Sequence, residues 1–561
     1  MKNFGIIDIE SQGSSTSYAS IISIAGILVN PELQELERFE LYCRNKAGYV
    51  PDPYSMWVNK GFDRMQSSNL SHFEMMKQLH QYIDKWSPCI WTTWNGIGFD
   101  FIMLQKENYK SLLPIYKTNL GGNEHCDFLP VARASKLFFP DCLKTDISEK
   151  MNPIFKLDSL GPRNFPDLDT TKFHTAIQDC ETLLRVMKKL KQSKASQIYE
   201  ASKLTTSKLS AREKIEKEKV FTTCFYFYGK MRSFLTTYLC EHGLYQNWPM
   251  LFCLENDPRD LIKLDYNSLK ESLKKPGKWV RSCPLKHPII LPAEFALKTD
   301  LYKSIGMPKL LERANLIHSN KEFAKKVSLA LGEIAKEKKE AKEDTPLLVE
   351  DSLYAKGFPS PHDVEVMKNF HEANDWVEKN EILPKIKDER FSYLGKRLIY
   401  QNSPKVLSPN EYKEIHSDIA KKKKEAKEDT PLLVEDSLYA KGFPSPHDVE
   451  VMKNFHEAND WIEKNEILPK IKDERFSYLG KRLIYQNSPK VLSPNDYKEI
   501  HSDIAKKILS TEETRWTTIP MAENLIDNIR NEKDISDSKL SYVNKIDVYL
   551  QQMRAFYEKA A

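Results

Sequence analysis

FGIIDIES, at Phe4–Ser11, is the stretch from which the rest of the chain is read. A largely apolar run leads into Asp8-Ile9-Glu10, and a loop rich in Ser and Gly follows. Side chains alternate faces along a strand, so Asp8 and Glu10 point the same way. Two carboxylates at that spacing on a core strand repel each other and lose hydration, and a cation relieves both costs. Hard divalent ions such as Mg²⁺ take oxygen ligands and suit the pair. Two solvated surface charges would have the same spacing, so the remaining ligands must come from elsewhere in the chain.

Working outward, SIISIAGILV and RFELYCR read as two further strands, rich in β-branched and aromatic residues, in an antiparallel meander. Asn69–Trp86 has Phe73, Met76, Leu79 and Ile83 at helical spacing. CIWTTW reads as a buried strand, Asn95–Gly98 as a turn, and Phe99-Asp100 as the opening of a helix through Tyr109. The two glycines of that turn do not complete a dinucleotide fingerprint, which excludes a nicotinamide site. Asp100 suits the first turn of a helix, and equally brings a third carboxylate to the sheet's end. In FHTAIQDCETLLRVMKKL (Phe173–Leu190), Ala176, Cys180, Leu183, Met187 and Leu190 form an apolar stripe. Asp179 lies at the stripe's edge and His174 at or just before the helix start, where a histidine also serves as a cap.

DIE at Asp8–Glu10, N-x-x-x-F-D at Asn95–Asp100 and H-x-A-x-x-D at His174–Asp179 resemble, in order and spacing, the three motifs of DEDDh exonucleases. The resemblance implies a ribonuclease H-like α/β fold and 3′→5′ exonuclease chemistry with two Mg²⁺ ions, Mn²⁺ being an alternative. It implies that Asp8, Glu10, Asp100 and Asp179 hold the metals and that His174 is the general base. Histidine's ordinary pKa of roughly 6.5 suits that work. Within the superfamily the chain is most similar to the bacterial exodeoxyribonuclease I family. On that resemblance Lys156, in IFKLDSL, lies where the family uses a basic residue on the nucleotide. Glu10 also approaches the terminal sugar, and Asn95 and Phe99 are further substrate-binding candidates. Thr175 departs from the pattern, since some relatives carry an acid there.

Beyond a Lys- and Ser-rich boundary near Ser196–Lys208, the runs VFTTCFYFY, MLFCLEN, IKLDYN and KWVRSC read as strands, and Lys309–Lys339 as a helical tail. Two of these segments resemble the family's second, SH3-like domain. Lys286, in Lys286-His287-Pro288, falls on its Lys-x-Pro element and is a DNA-contact candidate. Phe225, Tyr226, Phe227 and Tyr228 suit base stacking or core packing, and alternation assigns at least half of them to the core. From Lys338 the chain repeats itself with a period of 85 residues, Lys338–Lys422 against Lys423–Lys507, differing only at Val377/Ile462 and Glu411/Asp496. Each copy reads as helical and resembles part of the family's C-terminal helical domain. The expected organisation is a nuclease domain at 1–196, an SH3-like domain with a helical tail at 208–340, one helical copy at 338–422, and a second copy with the tail at 423–561. A charged linker, Ala335–Asp344, tethers the first copy.

The whole chain has 561 residues, 40% of them hydrophobic and 29% charged, with a formal net charge of +5. That charge permits a polyanion partner without demanding one. The nine cysteines form no C-x-x-C pair and read as reduced thiols. No signal segment and no membrane span are expected, so the cytoplasm is the expected compartment. The resemblance implies a monomer acting on single-stranded DNA, with roles in repair and recombination and with single-stranded-DNA-binding protein as a docking partner. Two rivals stand beside it. One is a DEDDh nuclease acting on RNA or proofreading for a polymerase, which usually lacks the two extra domains. The other is a non-catalytic single-stranded nucleic-acid-binding module, for which a missing acid would speak.

Overall fold

The computed structural model describes residues 2–343, apart from 17, 112, 115, 170–173, 205–207, 246–247, 276 and 285–288. It further describes 396, 407–413, 415 and 481–558, apart from 487–488, 512–513 and 515. These fall into two compact units, Met1–Ser328 with Leu432–Ala561, and Leu329–Pro431.

The N-terminal domain is built on a mixed five-stranded sheet. Its strands are β1 (Asn3–Ser11), β2 (Ile21–Val29), β3 (Glu35–Tyr42), β4 (Cys89–Thr93) and β5 (Glu124–Asp127), in the order β3-β2-β1-β4-β5. The first three form the expected antiparallel meander; β4 and β5 run parallel to β1. Every residue of β2 is buried, as an inner strand covered on both faces requires. Helices α1 (Pro53–Asn59), α2 (Phe62–Ser67) and α3 (His72–Trp86) follow the meander. Ser71 and Glu74 close a capping box on α3, which fixes its start. Between and beyond the parallel strands come α4 (Asp100–Lys110), α5 (Phe128–Phe138), α6 (Leu157–Asn164) and α7 (Ala176–Lys191). The α7 stripe read from the sequence is its buried face, and it lies on β1 and β2.

Two helices occupy the polar stretch where the domain boundary was expected. Helix α8 (Ser196–Leu204) puts Ile198 and Tyr199 into the core of the first domain, whereas α9 (Lys208–Lys217) puts Ala211 and Ile215 under the second sheet. That sheet is antiparallel, with β6 (Phe221–Phe227), β7 (Lys230–Glu241), β8 (Pro249–Cys253), β9 (Val280–Ser282) and β10 (Ile289–Pro292) in the order β10-β6-β7-β8-β9. One expected strand is corrected here. IKLDYN is helical at both ends, Arg259–Ile262 and Tyr266–Leu273, because Asp265 caps the second helix by accepting from the Ser268 amide. The long β7, not foreseen as an element, pairs with β6 through a two-residue turn, Tyr228-Gly229, with φ of 52° and 75°. The aromatic run is also corrected, for none of the four is fully buried. Phe225 and Phe227 pack at Phe234, Tyr226 faces the other way, and Tyr228 at the turn is 87% exposed.

Helices α10 (Met307–Ser319) and α11 (Lys321–Glu343) complete the middle of the chain. The stretch expected to be a linker from Ala335 is helical through Glu343, since its Ala, Lys and Glu residues are strong helix formers. In the second unit Leu407 and Ile415 are buried and Lys396 meets Glu411 at 3.1 Å. The equivalent pair of the other copy, Lys481 and Asp496, repeats this at 2.5 Å. Most of both copies lies outside the described residues.

The C-terminal helices α12 (Pro494–Leu509), α13 (Ile519–Arg530) and α14 (Asp537–Glu558) share a core with the N-terminal domain. Met56, Phe62 and Met65 of α1 and α2 join Ile500, Ile526, Val543 and Ile546 in one buried cluster. The Tyr542 hydroxyl accepts the Phe62 amide proton at 3.0 Å, and Trp516 is buried and donates to the Lys507 carbonyl.

Candidate active site

Strand β1 sits at the centre of the sheet, and its carboxyl end lies beside the carboxyl end of β4. Open α/β sheets place ligands at such an edge. The register sets Asp8 opposite Ala25 and Glu10 opposite Ser23, so only small side chains flank the acids on β2. Both acids are half-buried, and Ile7 and Ile9, which alternate with them, are buried, as the strand's alternation predicts. Helix α7 then brings Asp179 over the same edge. Its neighbour Cys180 points into the sheet, its thiol 3.6 Å from the Ala25 carbonyl, and this small side chain lets the helix approach closely.

Asp8, Glu10 and Asp179 each offer an oxygen, and these atoms lie within 4.8 Å of one another. Asp100 stands beside this group rather than in it, on the first turn of α4. Gly96 makes that placement possible: a Cβ there would fall 2.7 Å from Asp100 Oδ2 and 2.4 Å from Thr93 Oγ1. The far end of α4 is held by buried Glu107, which meets His72 Nε2 at 2.9 Å and Lys46 Nζ at 3.3 Å.

The electrostatics have one sign. Burial, then the charges of Asp179, Asp100 and Glu10, pushes the Asp8 carboxyl well above its ordinary range. Glu10 is raised by burial and by Asp179 and Asp100, against a lowering hydrogen bond from Asn59. Asp100 is pushed up to about 7, chiefly by burial, although backbone amides donate to it. Asp179 is likewise pushed up to about 7, by burial and by Asp158. Clustered carboxylates with raised pKa values mark a functional site, because the fold maintains a repulsion it could have avoided.

A cleft of about 280 Å³ opens over the group, with Asp8, Asp179, His174, Asp158, Lys156 and Trp94 among its walls. His174 precedes α7 in a left-handed turn, φ 63°, and its side chain is 40% exposed. Its Nε2 lies 3.5 Å from Asp158 Oδ2. Lys156 stands exposed at the N-terminal end of α6. Asn95 and Phe99 are not walls of this cleft. Asn95 is exposed in a left-handed turn, φ 69°, where its amide donates to Asp127 at 2.9 Å; Phe99 packs half-buried on the core. Lys286 lies outside the described residues.

Three residues escaped the sequence reading. Asp158 follows Lys156 by two positions and carries no motif. Trp94, held through its indole N–H to the Phe155 carbonyl at 2.9 Å, reads in sequence as the end of a strand. Asp127 caps α5 and fixes the turn that carries Asn95 and Gly96. An acid just before a helical run is its only signal.

All nine cysteines are buried and unpaired, and among the described residues no helix is long and apolar enough to cross a membrane. Residues 6–187 match the family model described as Exonuclease, and residues 433–553 match that of the Exonuclease I C-terminal domain. The second match spans most of the second copy and the tail. No curated protein matches the sequence. Among solved structures, exonuclease I from Methylocaldum szegediense shares 16% identity over 99% of this chain and 100% of that one, with a TM-score of 0.62. E. coli exonuclease I in complex with a dA16 oligonucleotide shares 17% identity over 88% of this chain and 100% of that one, with a TM-score of 0.50. Similarity at this level speaks for the fold.

Proposed function

We infer the reaction of a chain that belongs to the exonuclease I family: it hydrolyses single-stranded DNA from the 3′ end to 5′-mononucleotides, in repair and recombination. The observation that carries this is the group of Asp8, Glu10 and Asp179 oxygens within 4.8 Å of one another, walled by His174 and Lys156. The donor set fits a hard divalent cation, since it is all carboxylate and its mutual repulsion is what a cation would relieve. We assign it to two Mg²⁺, with Mn²⁺ as a substitute. Ions bound there would supply Lewis acidity toward the attacking water and offset the charge of the phosphodiester. Asp8, Glu10, Asp100 and Asp179 would hold them. His174 takes the proton of the attacking water. Lys156 meets the terminal phosphate as a point charge, and Glu10 turns toward the terminal sugar. Asn95, Phe99 and Lys286 belong to the path of the strand. The partners that go with this reading are single-stranded DNA and single-stranded-DNA-binding protein, with the chain a cytoplasmic monomer.

The match over residues 6–187 alone would serve equally a nuclease that acts on RNA or proofreads for a polymerase. The match over 433–553 favours the exonuclease I reading. The test is nucleotide release from end-labelled single-stranded DNA and RNA of one sequence, with and without Mg²⁺. Release from DNA alone, only with the metal, is expected. Asp179→Ala should abolish it while the strand still binds. RNA cleaved in preference to DNA, or wild-type turnover in that variant, would overturn the assignment.

A further inference from the structure

We propose that Asp158 is a positioning residue for His174. The proposal rests on the reading of His174 as the group that takes the water's proton, and adds a residue outside the three motifs. The imidazole sits on a loop, in a left-handed turn of φ 63°, and among the described residues Asp158 is the polar group its side chain meets. The distance is 3.5 Å, from Nε2 to Oδ2. Asp158 is the firmer of the two. It rides the first turn of α6, whose neighbouring Leu157 and Leu160 are buried in the core. It is not occupied in capping, because no side chain caps α6 and Asp158 Oδ1, although buried, has no hydrogen-bond partner among the described residues. A carboxylate held on a helix and turned to an imidazole on a loop is the arrangement that fixes a ring's tautomer and orientation.

The consequence is chemical. With Nε2–H directed at Asp158, the lone pair left to accept a proton is on Nδ1. One proton of the attacking water moves to Nδ1 as its oxygen bonds to phosphorus; the bond from phosphorus to the 3′ oxygen of the preceding nucleotide breaks, and that oxygen takes a proton from solvent. The imidazolium formed is held against the Asp158 carboxylate, and the proton passes to solvent once the nucleotide has left. The rival is that Asp158 acts only through Asp179, whose carboxyl it faces across the cleft.

A double-mutant cycle at saturating Mg²⁺ separates the two. The full-length proteins are wild type, Asp158→Ala, His174→Ala and the double variant, with kcat and KM measured on an oligo-dT strand. Losing a group that orients a general base should lower kcat about 10- to 100-fold, a part of the base's own contribution. KM should stay within about twofold, because strand binding uses other contacts. In the His174→Ala background the same substitution should change kcat by less than about threefold, and Asp158→Glu should recover part of the wild-type rate. An equal loss in both backgrounds assigns Asp158 to the metal site and overturns the proposal, as does an unchanged kcat in Asp158→Ala. If His174→Ala itself leaves kcat unchanged, the reading of His174 falls first and the proposal with it. Mg²⁺ binding by titration calorimetry, expected to be unaltered in Asp158→Ala, shows that any loss is not one of folding or of metal.

Discussion

Replacing Asp100 by Asn should stabilise the metal-free protein at pH 8 and leave it unchanged at pH 4. Asp100 is buried, and its folded pKa of about 7 stands against an ordinary 3.8, a difference of about 3 units. A group raised on folding contributes stability below its unfolded pKa and loses it as pH rises through the folded one, so the loss runs from about pH 4 to pH 7. At about 1.4 kcal/mol per unit the full loss is about 4 kcal/mol; relaxation around the charge and water entry from the cleft reduce it to about 2–4 kcal/mol. Asparagine keeps an oxygen for the backbone amides and turns an N–H₂ toward the remaining acids. Urea unfolding in EDTA, followed by near-ultraviolet dichroism, should show a midpoint about 1 M higher for Asp100→Asn at pH 8, taking a slope of about 2–3 kcal/mol per molar. At pH 4 the curves should coincide. Saturating Mg²⁺ should reverse the order at pH 8, because the ligand now missing is worth more than the repulsion relieved. An Asp100→Asn protein no more stable than wild type at pH 8, or equally advantaged at both pH values, would refute the electrostatic account of this site.

Gly96→Ala should cut exonuclease turnover at least tenfold, since its Cβ would press on Asp100 Oδ2 and Thr93 Oγ1; unchanged turnover in a steady-state assay would show that the turn yields freely. Tyr542→Phe should cost about 1–3 kcal/mol in urea unfolding, because the buried Phe62 amide loses its acceptor. Deleting Lys338–Lys422 should leave nucleotide release from single-stranded DNA intact, as the second copy and the tail match the C-terminal domain on their own; loss of release would mean that both copies serve the working enzyme. Strand binding should weaken steeply with salt, each neutralised phosphate adding about −0.7 to the log–log slope, and a slope near zero in fluorescence anisotropy would count against an electrostatic path.

The site was legible where chemistry forces residue choice. Period-two alternation on β1 gave the facing of Asp8 and Glu10, and period 3.6 on α7 gave the edge position of Asp179, because burial imposes those periods whatever the neighbours. Asp158 and Trp94 were hidden because their roles depend on which loop crosses which strand, and local pattern does not encode that. The error at IKLDYN has a similar cause: its alternation suits a strand, but the Asp265 cap outweighs it. Strand β7 escaped because its turn places Tyr228, rather than the usual Asn or Asp, at a positive φ. Alternation in the aromatic run held in direction, yet the buried side proved only half-covered, since the hairpin end extends beyond the sheet's core.

The core shared by α1, α2 and the last helices carries a consequence for biosynthesis. Phe62 and Tyr542 are 480 residues apart. At about 5–20 residues per second, roughly 25–100 s of translation separate them. Throughout that interval the apolar face of Met56, Phe62 and Met65 leaves the ribosome without the side chains that finally cover it. Asp8, Glu10, Asp100 and Asp179 are synthesised long before their domain has its full support. A message truncated between Lys191 and the final helix would release a chain with the acid cluster complete and an uncovered sticky face, a substrate for chaperones or proteases.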